Sequence, residues 1–150
     1  MRRALELSAE RMRENTGGPF GAIIVMQGKV IAEGWNKVTS SNDPTAHAEV
    51  SAIRSACEKL ESFSLAGCDI YTSCEPCPMC LAAIYWARLD RIFFANTREE
   101  AAAIGFDDAM IYDEIPKPIE ARSIPTVKLS VPEAGAVFAE WQAKPDKVQY

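Results

Sequence analysis

The chain has a single histidine in 150 residues, and it lacks any cluster of basic residues, any long hydrophobic run and any disulfide-like cysteine framework. Each absence narrows what the protein can do. Sixteen Lys and Arg are scattered among twenty-one Asp and Glu, for a net charge of -5, so there is no electrostatic footprint for a nucleic-acid backbone. A small or weakly charged substrate is expected instead. No apolar run approaches membrane-spanning length, and Arg2, Arg3, Glu6, Glu10, Arg11 and Arg13 interrupt the start of the chain, so neither a membrane segment nor a signal peptide is expected. The five cysteines are an odd number, and Cys74-x-x-Cys77-x-x-Cys80 suits metal or redox chemistry better than disulfides, which implies a reducing, cytoplasmic setting. With no internal repeat and 48% hydrophobic residues, one compact domain is expected, burying about two-thirds of its unfolded surface.

What the chain does have is two short stretches that read as one site. His47-Ala48-Glu49 holds the one histidine and a carboxylate, and Pro76-Cys77-Pro78-Met79-Cys80 holds a Cys-x-x-Cys pair at the mouth of an apolar segment. Imidazole with two thiolates is a zinc donor set, and three protein ligands leave a fourth tetrahedral position for water.

The pattern along the chain alternates between helix and strand, which predicts an α/β layer architecture. A helix is expected over residues 1–15, with Leu5, Ser8, Ala9 and Met12 on one face; it runs into Met1 without a cap, which leaves room for residues upstream. Gly17-Gly18-Pro19 breaks it, and strands over 20–26 and 29–36 flank Gln27-Gly28 as a hairpin. Residues 38–42 read as polar loop, and Asp43-Pro44 as the start of a helix running to Leu60. Then come a strand over 68–72, a helix over 78–89, a strand over 91–95 and a helix over 98–103. Prolines punctuate the chain after Gly105, and a helical pattern returns over 133–144.

Helix geometry limits how the site can be built. His47 and Glu49 fall about 200° apart on an ideal helix, so they cannot share a flank. The site must therefore sit where helices begin. Cys77 and Cys80 share a face at a helix start, where the dipole and free N–H groups favour thiolates, so two helix N-termini are expected to converge on one metal. One imidazole and two thiolates balance Zn²⁺, which leaves Glu49 as an acid/base that moves protons. His-x-Glu with Pro-Cys-x-x-Cys is the known signature of zinc nucleobase deaminases. Cys74 is a rival ligand: with His47, Cys77 and Cys80 it would make a closed structural site with no room for water. Pro76 and the placement of Cys74 in the strand-to-helix turn argue against that. A cysteine-protease pairing of His47 with one thiol has nothing in its favour over the metal. Cys57 and Cys68 read as buried small hydrophobes. Leu81-Ala82-Ala83-Ile84-Tyr85-Trp86 is apolar all round, which predicts a helix buried on both faces and places Trp86 in the core. Asp107-Asp108 reads as a turn or cap.

The run from Thr45 to Val50, with Ser73-Cys74-Glu75-Pro76-Cys77-Pro78-Met79-Cys80-Leu81, resembles the cytidine deaminase-like superfamily and, within it, the small bacterial guanine deaminases. Gly17-Gly18-Pro19-Phe20-Gly21, Ser41-Asn42-Asp43-Pro44, and Ile104-Gly105-Phe106-Asp107-Asp108 with Ile111-Tyr112 sharpen the match. The resemblance implies a three-layer α/β/α sandwich around a five-stranded mixed sheet, and hydrolysis of guanine to xanthine and ammonia. It implies one Zn²⁺ per subunit held by His47, Cys77 and Cys80, with Glu49 shuttling protons and Asp108 helping to protonate the departing amine. Phe20, Asn36, Ala48, Trp86 and Tyr150 match substrate-binding positions. The partner is then a purine base, with no nucleic acid and no membrane. A homodimer is implied, in which a C-terminal arm of one domain, about residues 116–150, is exchanged between subunits. Two alternatives remain open from the residues: a deaminase of another base or nucleoside (cytosine, adenine, tRNA adenosine), and a zinc-stabilised binding module without catalysis.

Overall fold

The computed structural model describes residues 1–149 and divides into two compact units, Met1–Met110 and Ile111–Tyr150. The first unit contains α1 (Arg2–Arg13), β1 (Gly21–Met26), β2 (Lys29–Trp35), α2 (Val38–Ser41), α3 (Ala48–Leu60), β3 (Cys68–Cys74), α4 (Pro78–Trp86), β4 (Arg91–Asn96) and α5 (Arg98–Ala103). Helix α6 (Ala109–Glu114) spans the junction, and the second unit continues with a 3-10 turn (Ile119–Ala121) and α7 (Pro132–Ala143).

The strands form one mixed sheet in the order β2-β1-β3-β4, antiparallel except for the β3–β4 pair. Gln27 and Gly28 both take positive φ, 50° and 76°, between the paired Met26 and Lys29, the backbone of the two-residue turn that joins twisted strands. Strand periodicity then assigns the faces. Ala22 pairs with Gly34 on β2 and Thr72 on β3, so these three point the same way, and Gly21 points the other way. A Cβ on Gly21 would meet Ala4 O at 2.4 Å, whereas one on Gly34 would meet Ala48 O and Ala52 N at 2.3 Å. Helices α1 and α3 thus cover opposite faces of the sheet, each in backbone contact that only glycine permits. Ala22, Ile24 and Ile70 join Ala48, Ala52, Ile53, Ala56 and Ile84 in the core on the α3 side. Arg3 of α1 clamps β2 by a two-pronged pair to Glu33, at 2.7 and 2.8 Å.

The expected fifth strand is absent among the described residues; the sheet has four. Three local expectations are corrected as well. The stretch over 38–42 is not loop throughout, since Val38–Ser41 forms one helical turn closed by Asn42 in the left-handed region at φ 52°. Helix α4 ends at Trp86 because Arg88 takes φ 59°, which a helix cannot continue through. Its all-round apolar surface does not bury it on both faces: Ile84 is 2% exposed but Tyr85 is 75% and Trp86 65% exposed, so Trp86 is no core residue. Helix α6 carried no clear signal in the sequence.

Candidate metal centre

The two motif stretches meet at two helix mouths. His47 is the N-cap of α3 and Cys77 the N-cap of α4, both in extended backbone that turns their side chains out ahead of the first turn. Pro78 at the first position of α4 supplies its fixed φ and gives up an N–H that no helix would use. Helix α3 starts later than Asp43-Pro44 suggests. The Asp43 carboxylate accepts from the Thr45 backbone N–H at 2.8 Å and hydroxyl at 2.7 Å, which closes a separate turn and leaves the helix to begin at Ala48. Gly34 then lets β2 press against Ala48 and Ala52, and this contact fixes where His47 and Glu49 stand.

His47 Nδ1 lies 3.6 Å from Cys77 Sγ and 3.5 Å from Cys80 Sγ, and the three ligand atoms fall within 4.8 Å of one another. Zinc–sulfur and zinc–nitrogen bonds of ordinary length at tetrahedral angles put such donors about 3.6 Å apart. The donor set therefore fits the edges of a zinc tetrahedron. Its charge state fits too. A hydrogen bond from Cys80, then one with His47, holds the Cys77 thiol down to about 4 despite burial, and the same bond to Cys77 pushes Cys80 up. A divalent cation bound here would favour the thiolate form of both. His47 is shifted upward, first by its hydrogen bond with Cys77.

Glu49 is the second residue of α3, buried, between two donors. Its Oε1 accepts from the Thr72 hydroxyl at 3.2 Å and its Oε2 from Cys80 Sγ at 3.4 Å. Burial raises its pKa, so this carboxyl takes a proton more readily than an exposed one. Asp108 is raised for the same reason, and next by the charge of Cys77, which brings it within electrostatic reach of the cluster. Cys74 stays outside it. Its Sγ donates to Thr97 O at 3.6 Å, and burial, then Glu49, lifts it to about 11, far from a resting thiolate.

The remaining candidates each have their own setting. Asn36, 8% exposed, accepts at Oδ1 from the backbone N–H groups of Gly18, at 3.4 Å, and Val38, at 3.2 Å, so its amide orientation is set. Gly17 makes that possible, since a Cβ there would sit 1.6 Å from Asn36 O. Phe20 stacks edge-on against Phe106 at 4.8 Å. Ala48 is fully buried as the first residue of α3, and Trp86 closes the far end of α4 from Cys77 and Cys80. Tyr150 lies outside the described residues. Sequence reasoning missed Thr72 and Gly34. A Thr in a β-rich run and a Gly near a strand end give no sign of what lies across the fold from them.

Residues 1–96 match the family of the cytidine and deoxycytidylate deaminase zinc-binding region. Over 150 residues the chain is 52% identical to the guanine deaminase of Bacillus subtilis, covering all of this chain and 96% of that one. Its structure superposes on the X-ray structure of that protein with a TM-score of 0.97, covering 99% and 95% of the two chains. A guanine deaminase from Nitrosomonas europaea is 32% identical, with a TM-score of 0.66 over 79% of this chain and 65% of that one. The tRNA-specific adenosine deaminase of Agrobacterium fabrum is 44% identical over 86 residues, 57% of each chain.

Proposed function

Because this chain belongs to the family of the cytidine and deoxycytidylate deaminase zinc-binding region, we propose that it is a zinc-dependent guanine deaminase that converts guanine and water to xanthine and ammonia. The observation that carries the choice of base is the extent of the likeness. The tRNA deaminase matches 57% of the chain, whereas the guanine deaminase matches all of it. The acidic balance of the chain favours a small base over tRNA.

In this reading His47, Cys77 and Cys80 hold one zinc per subunit. When bound, zinc would supply a Lewis acid that makes water a nucleophile near neutral pH. Glu49 takes a proton from the attacking water at Oε2, the oxygen facing Cys80, and returns it to a ring nitrogen of guanine as oxygen adds at C2. As the C2–N bond breaks, Asp108 hands a proton to the amine and ammonia leaves, while the added oxygen gives up its remaining proton to the Glu49–Asp108 pair. C2 thereby becomes a carbonyl, and the pair keeps the number of protons it started with. Asn36 directs its Nδ2 at the base, because its Oδ1 is engaged by two backbone donors. Phe20 offers a ring to the flat purine and the Ala48 backbone borders it, whereas Trp86, at the other end of α4 from the cysteines, could meet a base only in a neighbouring subunit.

The functional unit is a cytoplasmic homodimer in which the arm of about residues 116–150 is exchanged and Tyr150 closes the partner's pocket. The exposed apolar side chains of Val127, Leu129, Val131 and Phe138 support an arm that needs a partner to cover it. Among the described residues no helix is long and apolar enough to cross a membrane. Ammonia release from a panel of guanine, adenine, cytosine and their nucleosides tests the choice of base: guanine alone should react, and turnover of another base in preference to it would overturn the reading.

A further inference from the structure

Thr72 poses a question that packing alone does not answer. It sits at the centre of β3, paired with Ala22 of β1 and Phe94 of β4, and is 1% exposed on the face that meets α3. Valine has nearly the same shape and an equal preference for a buried strand, so the fold has no need of a hydroxyl here. A buried hydroxyl is tolerated only where it is hydrogen-bonded, and the partner of this one is Glu49 Oε1, at 3.2 Å.

The bond matters because of what it leaves to the other oxygen. The last torsion of a glutamate is broad and roughly two-fold, so a carboxylate held by nothing turns freely. Glu49 Oε2 faces Cys80 Sγ at 3.4 Å, but Cys80 has no proton to give once it serves as a thiolate ligand. The carboxylate's own backbone N–H comes from the same residue and cannot tie it to the sheet. We propose that Thr72 is a positioning residue for Glu49: its hydroxyl, fixed on the central strand, anchors Oε1 and thereby keeps Oε2 turned toward the His47–Cys77–Cys80 cluster. This inference rests on Glu49 as the proton carrier of the reaction proposed above. It adds the residue that aims it.

The test compares Thr72→Val, which removes only the hydroxyl, with Thr72→Ser, which keeps it. Zinc content, melting temperature, kcat and KM for guanine are measured on the zinc-loaded proteins, together with crystal structures of both variants. Thr72→Val is expected to keep its zinc and fold, to lose about tenfold to a hundredfold in kcat with KM little changed, and to show the Glu49 carboxylate rotated. Thr72→Ser should recover most of kcat and the original carboxylate orientation. Full kcat in Thr72→Val, equal losses in both variants, or zinc loss in Thr72→Val would overturn the proposal. The carboxylate orientation is read whether or not guanine is the substrate, so a wild-type protein inactive on guanine would sink the functional reading while leaving this one decided by the structures.

Discussion

The Nδ1 of His47 stands 3.5 Å from the Sγ of Cys80, although one caps α3 and the other lies in the first turn of α4. The metal centre is thus a property of how two helices are set on the sheet, and a change to either helix or to the strands beneath them should be felt there.

Cys74 belongs to the same sulfur-rich turn but donates to Thr97 O and takes no place among the three ligand atoms. Cys74→Ala should retain one zinc per chain and guanine turnover, and lose on the order of 1 kcal/mol of stability. Metal analysis of the purified variant checks this; loss of zinc would make the site a closed structural one.

Gly34 holds α3 against β2 at a distance no side chain allows, since a methyl there would stand only 2.3 Å from Ala48 O and Ala52 N. Gly34→Ala should push α3 outward, destabilise the protein by about 1–3 kcal/mol or more, and weaken zinc retention because His47 moves with the helix. Urea unfolding and a chelator-competition assay report the two effects separately.

Glu33 is held below its ordinary range first by its hydrogen bond to Arg3, so its folded pKa is depressed. The sign follows: the Arg3–Glu33 contribution is fully present above the unfolded carboxyl value and is lost as pH falls through the lower folded one. Melting temperatures of wild type and Glu33→Gln should differ most near about pH 7 and converge as the pH drops below about 4. A gap that persists or widens in acid would contradict this. The pair is partly exposed, so the effect is small.

Glu49→Gln keeps the side chain's size and its place beside Thr72 and Cys80 while removing its ability to carry a proton. Zinc content should be unchanged and kcat should fall by about 10²–10⁴-fold. A loss confined to KM would mean that Glu49 binds substrate instead.

Much of this site was legible in the sequence because its chemistry is local. His47 and Glu49 are two residues apart, Cys77 and Cys80 three, and helix geometry alone sends both stretches to helix mouths. The hairpin at Gln27-Gly28 was legible for the same reason. What stayed hidden depends on contacts across the fold. Thr72 reads as an ordinary strand residue until β3 brings it to Glu49, and Gly34 reads as a weak strand position until α3 lies on it. Asp43 resembles a helix cap, and only the turn it makes with Thr45 shows why α3 begins at Ala48. The helix of Tyr85 and Trp86 reads as buried because apolar composition signals burial but does not say against what.

Zinc held by His47, Cys77 and Cys80 is what would make this chain a guanine deaminase. The most direct test is conversion of guanine to xanthine by protein stripped with a chelator and then titrated with Zn²⁺. Stripped protein should be inactive, and activity should return in proportion to zinc and saturate at one equivalent per chain; turnover by the stripped protein, or none at full zinc occupancy, would contradict a zinc-dependent guanine deaminase.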